Sequence, residues 1–139
     1  MKVGIIGLGM LGNAVALHLL EAGFKLTVFN RTKEKLSQVI KKGAKSVETP
    51  KEVAENSELV IIIVKDADAV KQISFEENGI IEGKHKKLIV ADMSTIDPTE
   101  SKKISRKFQE NNIQKLDIPV MGGPKAVVTG DLVMMASGN

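Results

Sequence analysis

Glycines and one arginine carry the first chemical signal in this chain. Gly7-Leu8-Gly9-Met10-Leu11-Gly12 has the spacing G-x-G-x-x-G, and Asn30-Arg31-Thr32 follows further along. Gly7 allows a tight turn, Gly9 lets the backbone approach a pyrophosphate, and Gly12 lets a helix sit near a strand. The helix opened by such a turn aims free N–H groups and the positive end of its dipole at phosphates. The spacing is weak evidence without its flanks, and the flanks are present. Lys2 to Ile6 is a short apolar run, Leu11 to Ala22 is an apolar stretch closed by Gly23, and Leu26 to Phe29 is a second apolar run ending in the polar tip. Strand, glycine turn, helix and strand make the layout of a dinucleotide-binding βαβ unit.

The tip of the second strand discriminates between cofactors. An acidic residue there would accept a hydrogen bond from the ribose 2′-OH of NAD and repel a 2′-phosphate. This chain has Asn30, Arg31, Thr32 and, one helical turn on, Lys35. The guanidinium of Arg31 offers a planar fork of donors that suits a phosphate. The expectation is NADP, with NAD as the alternative.

Three further stretches sit where chemistry is expected. Val64-Lys65-Asp66 follows the most apolar run, Leu59 to Val64, which reads as a central parallel strand buried on both faces. Ligands of open α/β sheets bind outside the carboxyl ends of strands, so these residues should line the groove. Asp66 has a second reading as the N-cap of the helix that carries Val70 and Ile73. Ser94-Thr95 leaves the strand Leu88 to Ala91, where the hydroxyls either meet a ligand or only cap a helix. Met121-Gly122-Gly123-Pro124 follows a strand region, Ile113 to Val120, that Pro119 must bend or hold at an edge. Its paired glycines expose N–H groups suited to a carboxylate.

The elements that must position these residues alternate in an α/β order. Thr32 reads as the N-cap of a second helix with Leu36, Val39 and Ile40 as its apolar stripe and Gly43 as its stop. Ala44 to Val47 reads as a third strand. Thr49-Pro50-Lys51-Glu52 reads as a capping box with proline at the first helical position, and Asp97-Pro98-Thr99-Glu100 as a second box opening a helix with Ile104 and Phe108 buried. Phe75 to Lys87 reads as a loop with a short helical turn. Gly130-Asp131 reads as a turn, and Leu132 to Ala136 as a last strand. The whole is a Rossmann-type, doubly wound, mainly parallel sheet with helices on both faces, one domain over residues 1–139.

Composition narrows the classes. The 139 residues carry 20 basic and 17 acidic groups, a net charge of +3, and 42% hydrophobic residues, which allows a real core. There is no cysteine, and His18 and His85 are the only histidines, so thiolate and histidine metal centres are not expected. Tyr and Trp are absent and Phe occurs four times, leaving no stacking platform for nucleic acid. No run of about 18 apolar residues and no signal-peptide layout occurs, so neither a membrane nor an export route is expected and the location is cytoplasmic by default. His18, within the first helix, reads as a packing residue.

Taken together, these stretches resemble the β-hydroxyacid dehydrogenase family, which includes 3-hydroxyisobutyrate and 6-phosphogluconate dehydrogenases and the glyoxylate, tartronate and succinic semialdehyde reductases. The resemblance runs from Gly4 to Gly138. Gly7 to Gly12 is similar to the family's G-L-G-x-M-G, with Leu11 for the usual methionine, and Asn30-Arg31-Thr32 to the form in NADP-using members. Val64-Lys65-Asp66 resembles its L-P-D loop with Lys65 for proline, Met93 to Pro98 its S-T-x-x-P segment, and Asp117 to Gly123 its D-A-P-V-S-G-G segment with Met121 for serine. The resemblance implies cofactor contacts at Gly7, Leu8, Gly9, Met10, Leu11, Gly12, Asn30, Arg31, Thr32, Lys35, Val64, Lys65, Asp66, Val70 and Thr95. It implies substrate contacts at Ser94, Met121, Gly122 and Gly123, for a small carboxylate or carbonyl compound.

It also implies a homo-oligomeric parent, an all-α domain absent here, a sheet incomplete at Asn139, and a catalytic lysine beyond Asn139. On that reading the chain is a cofactor-binding fragment that binds NADP without turning over, and it supplies no catalytic residue of its own. A fragment of an imine reductase, favoured by Met121, and a non-catalytic nucleotide-binding module are the alternatives.

Overall fold

Strand β1 (Lys2–Ile6) takes the centre of the sheet, where both of its faces find apolar cover. The computed structural model, which describes residues 1–138, pairs it in parallel with β2 (Lys25–Phe29) on one side and β4 (Leu59–Ile62) on the other. With β3 (Lys45–Ser46), β5 (Ile89–Asp92) and β6 (Gln114–Asp117) the sheet has six parallel strands in the order β3-β2-β1-β4-β5-β6. The chain thus winds outward from β1 to β3, returns, and winds outward again from β4 to β6. The reversal lies between β1 and β4, and the expected doubly wound fold is the one observed.

Helices cover both faces. On one face α1 (Met10–Glu21), α2 (Ser37–Lys41) and the turn before α2 close over Val3, Ile5 and Val28 with Val15, Ala16, Val39 and Leu36. On the other, α3 (Pro50–Glu55), α4 (Ala67–Phe75) and α5 (Pro98–Glu110) bury Ile6, Val60, Ile62, Ile104 and Phe108. Alternation along β1 sends Val3 and Ile5 to the first core and Ile6 to the second. Phe108 is wholly buried and meets Phe75 with ring centroids 4.9 Å apart.

Several local signals formed as their residue types dictate. Thr49 Oγ1 accepts from Glu52 N–H at 3.2 Å, and Glu52 Oε2 accepts from Thr49 N–H at 2.9 Å, a complete capping box. Asp66 Oδ1 accepts from Ala69 N–H at 2.8 Å and caps α4.

Others differ from expectation. Thr32 makes no side-chain cap; the chain there enters a 3₁₀ turn (Lys33–Leu36) before α2, and Ile40 is exposed. Asp97 caps α5 through Thr99 N–H and Glu100 N–H, but Glu100 does not reach back, because its carboxylate is taken by Lys71 and Lys103. The third strand is two residues long, since only Thr27 and Val28 of β2 pair with it.

The chain after β6 was the least well anticipated. Pro119 does end the parallel strand. Val120–Met121 (β7) then leaves the main sheet and pairs in antiparallel fashion with Val133–Met134 (β8), shorter than the strand expected over Leu132 to Ala136. Between them lies a helix that the sequence did not announce, α6 (Pro124–Thr129). Its Val127 is buried in the core on the α1 side. Ser137 then exchanges two 2.8 Å backbone bonds with Asp117 at the end of β6.

Candidate functional site

The register lines up the strand ends. Ile6 lies opposite Phe29 and Ile62, Ile62 opposite Asp92, and Asp92 opposite Asp117. The loops leaving these five residues therefore rise from one edge of the sheet, and they carry nearly every candidate residue. The row from Phe29 to Asp92 crosses three strand gaps, about 14 Å at the usual spacing, which is room for an extended dinucleotide.

The glycine turn sits at the middle of that row. Gly7 has φ +102°, and a Cβ there would lie 1.9 Å from the Ile63 carbonyl oxygen. At Gly12 a Cβ would lie 2.0 Å from the Gly7 carbonyl oxygen. These two glycines are required by protein packing alone. Gly9 differs: a Cβ there would meet nothing within 4 Å, so its bareness serves no contact within the chain. It is the N-cap of α1 and offers no side-chain cap. The first N–H groups of α1 have no partner within the helix and open to the groove, and Met10 beside them is 81% exposed. This cradle fits a pyrophosphate.

Asn30 braces the turn. Its Oδ1 accepts from Leu8 N–H at 2.8 Å, and its Nδ2 donates to the Thr32 carbonyl at 2.8 Å. One amide thus ties the glycine turn to the tip of β2. The Leu8 side chain is buried, and its N–H is engaged by this brace. Arg31, Thr32 and Lys35 are exposed at the tip, and neither Arg31 nor Lys35 has an ion-pair partner among the described residues.

On the other side of β1 the groups divide. Val64 and Asp66 are half-buried, and Lys65 is exposed with its ammonium 3.9 Å from Asp66. Val70, expected at the groove, is fully buried on α4 in the core with Val60 and Ile62. Ser94 is buried, and its Oγ accepts from Val64 N–H at 3.0 Å, while its own N–H donates to Asp92 Oδ1 at 2.9 Å. It therefore joins the ends of β4 and β5, and the capping role open to it from spacing falls to Asp97. Thr95 beside it is exposed. Met121, Gly122 and Gly123 are exposed on the β7 side, next to the row but outside the main sheet.

Two further charged residues stand at this edge without a motif to mark them, Asp92 and Lys115. Both are buried, with Lys115 Nζ 3.7 Å from Asp92 Oδ2. The signal for them was the i, i+2 pair Lys115 and Asp117 on one face of β6. Among the described residues no cluster of acidic or histidine groups could hold a metal ion.

A family model described as the NAD binding domain of 6-phosphogluconate dehydrogenase matches residues 2–139. The chain belongs to this family. Among its relatives, 2-hydroxy-3-oxopropionate reductase of Escherichia coli is 37% identical over 139 residues, covering all of this chain and 47% of that protein. Among solved structures, Psf3 in complex with NADP+ and 2-OPP superposes with a TM-score of 0.93 at 27% identity, over 99% of this chain and 49% of that one. An imine reductase from Pseudomonas sp. superposes with a TM-score of 0.87 at 24% identity, over 99% and 47%, and shares the fold. The chain thus spans about half the length of the relatives it matches. In this NAD-binding domain the matched region takes in the glycine turn, the β2 tip and the three later loops alike. Among the described residues no helix is long and apolar enough to cross a membrane.

Proposed function

We propose that this chain is the NADP-binding half of an oxidoreductase that moves a hydride between a β-hydroxyacid and its semialdehyde or keto form. The observation that carries the cofactor choice is the β2 tip. Arg31 stands exposed there and has no ion-pair partner among the described residues, and the position where an acidic residue would read a ribose 2′-OH holds Asn30, whose amide is spent on the glycine turn. The NADP+ held by a structure of the same fold supports the reading, as does the reductase name of the relative.

In this reading the α1 N-terminus and Gly9 take the pyrophosphate, Arg31 and Thr32 the 2′-phosphate, and the loops at Val64 and Thr95 flank the nicotinamide end. NADPH supplies the hydride; this chain's residues bind and orient it. Gly122 and Gly123 offer N–H groups to a substrate carboxylate. The residues of this chain are expected to bind and position NADPH rather than to supply the acid–base group.

Titration of the chain with NADPH and with NADH tests the reading. NADPH should bind more tightly, and Arg31→Asp should cost on the order of 2 kcal/mol by replacing a charge-assisted contact with repulsion. Equal affinity for both would remove the choice of NADP, and binding of neither would remove the reading.

A second reading keeps the cofactor and changes the substrate. Met121 stands where the resemblance expects serine, and it is 63% exposed beside the glycine pair. A thioether there suits a less polar substrate such as a cyclic imine. Assay of the intact parent on cyclic imines and on short hydroxyacids separates the two.

A further inference from the structure

Lys115 is a lysine buried in an edge strand. Its side chain is 1% exposed, although β6 has a neighbour in the sheet on one side only. Alternation puts Lys115 and Asp117 on the same face, and the register sets Asp92 of β5 opposite Asp117. The ammonium lies between the two carboxylates, hydrogen-bonded to Asp117 Oδ1 and 3.7 Å from Asp92 Oδ2.

The carboxylates are not equivalent. Asp117 is partly open to water and also accepts from Ser101 Oγ–H at 2.6 Å. Asp92 is fully buried, and its Oδ2 has no hydrogen-bond partner among the described residues. A carboxylate in that position is costly unless a counter-charge faces it, and Lys115 is the cation that does so among the described residues. Burial pushes the Asp92 carboxyl above the ordinary carboxylate range; bonds from Ser94 and then the Lys115 charge pull it back, and Asp117 opposes them.

Asp92 in turn reaches the nucleotide groove. Its Oδ1 holds Ser94 N–H, and Ser94 Oγ holds Val64 N–H. A path of polar contacts therefore crosses three strands, from Lys115 on β6 through the end of β5 to the residue that leaves β4. That residue abuts the glycine turn: a Cβ on Gly7 would meet the Ile63 carbonyl oxygen at 1.9 Å and Val64 Cγ1 at 3.1 Å. The backbone at 63–64 sets the space in which the turn forms.

We propose that Lys115 is a positioning residue for the nucleotide site. By facing Asp92 in the interior it holds Ser94 against Val64, and so fixes the backbone of residues 63–66 against the glycine turn. The consequence for binding rests on the proposed nucleotide function; the linkage itself needs no ligand and can be read without one.

The test compares this 139-residue chain with Lys115→Met and with the neutral pair Lys115→Met/Asp92→Asn. Methionine fills the space of the lysine stem and leaves the Asp92 carboxylate buried without a counter-charge, so Asp92 turns out or draws in water and releases Ser94. Asparagine at position 92 carries no charge, and its Oδ1 still accepts from Ser94. Protection of the Val64 amide against hydrogen exchange and the dissociation constant for NADPH are measured at neutral pH, with the Val60 and Ile62 amides as controls for global opening.

Lys115→Met should lower Val64 protection and weaken NADPH binding, each by about tenfold, with Val60 and Ile62 still protected. The neutral pair should return both to within about threefold of the parent chain. A lowered melting temperature with Val64 protection and NADPH affinity unchanged would reduce Lys115 to a stabiliser of the sheet edge and overturn the proposal, as would a neutral pair that fails to restore them. Should Lys115→Met not fold, Ser94→Ala decides the last link, and unchanged Val64 protection in it overturns the proposal. If the parent chain binds no NADPH, the proposed function falls and Val64 protection alone judges the linkage.

Discussion

Two regions of this molecule meet at the same edge of the sheet and are built in opposite ways. The β1–α1–β2 unit is interlocked. Its turn has room for hydrogen alone at Gly7 and Gly12, its backbone is tied across by Asn30, and its apolar residues point into the core. The β7–α6–β8 segment rests on the α1 side through Val120, Val127 and Leu132. Val127 is buried, but Val128, Val133, Met134 and Met135 are half exposed or more, and a Cβ on Gly123 or Gly130 would touch nothing. The first region fixes its shape through contacts with itself and with the backbone that leaves β4 at Ile63. The second packs Val120, Val127 and Leu132 on the core but leaves several apolar side chains and the backbone at Gly123 facing outward. A site that must hold an invariant pyrophosphate suits the first construction, and one that must read a variable small molecule suits the second.

The comparison can be broken by substitution. The largest effect is expected for Gly7→Ala. The methyl would be driven into the Ile63 carbonyl at a backbone angle alanine avoids, so urea denaturation should show a loss of about 3 kcal/mol or more. A change below 1 kcal/mol there would mean that the turn is not locked. Asn30→Ala comes next. It leaves Leu8 N–H without its acceptor, which should cost about 1–2 kcal/mol of stability, with NADPH affinity falling alongside. Full retention of both would show that the brace is dispensable. The smallest effect is expected for Gly123→Ala, within about 0.5 kcal/mol, because φ is −116° and the space is open. A large destabilisation there would show that the segment is held more tightly than its contacts indicate.

The two regions also differed in how far they could be read in advance. The glycine turn, the strand tip, the Thr49–Glu52 box and the Asp66 cap are local: each residue's partner lies within a few positions or follows from strand–turn–helix geometry. Helix α6 was not legible, because Pro-Lys-Ala-Val-Val-Thr is six residues long and rich in β-branched side chains. Its helicity comes from Val127 reaching the core beside α1 and from Gly130 at φ +78° ending it. Thr32 had the right type for a cap, but the chain there tightens into a 3₁₀ turn. Val70 was expected at the groove from the resemblance alone, and helical phase turns it inward. Ser94 was placed at the right strand end, yet its partner is thirty residues away, where the chain leaves the neighbouring strand. Lys115 looked like one more solvated lysine. What hid it was Asp92, a residue whose importance depends on a pairing between strands that no local pattern encodes.

The placement of β1 has a mechanical consequence. Its amino end is near the start of the chain, while Ser137 is bonded at the opposite edge of the sheet, at the carboxyl end of β6. Tension applied between these points would drag β1 lengthwise between β2 and β4. The hydrogen bonds on both sides of β1 would bear that load together and would have to fail together, whereas the two Ser137–Asp117 bonds and then the two-residue β7–β8 pair would part first and shield them. Under traction the chain should therefore yield in two stages, with the outward-facing segment lost at low force and the nucleotide cradle held until the whole central ladder shears.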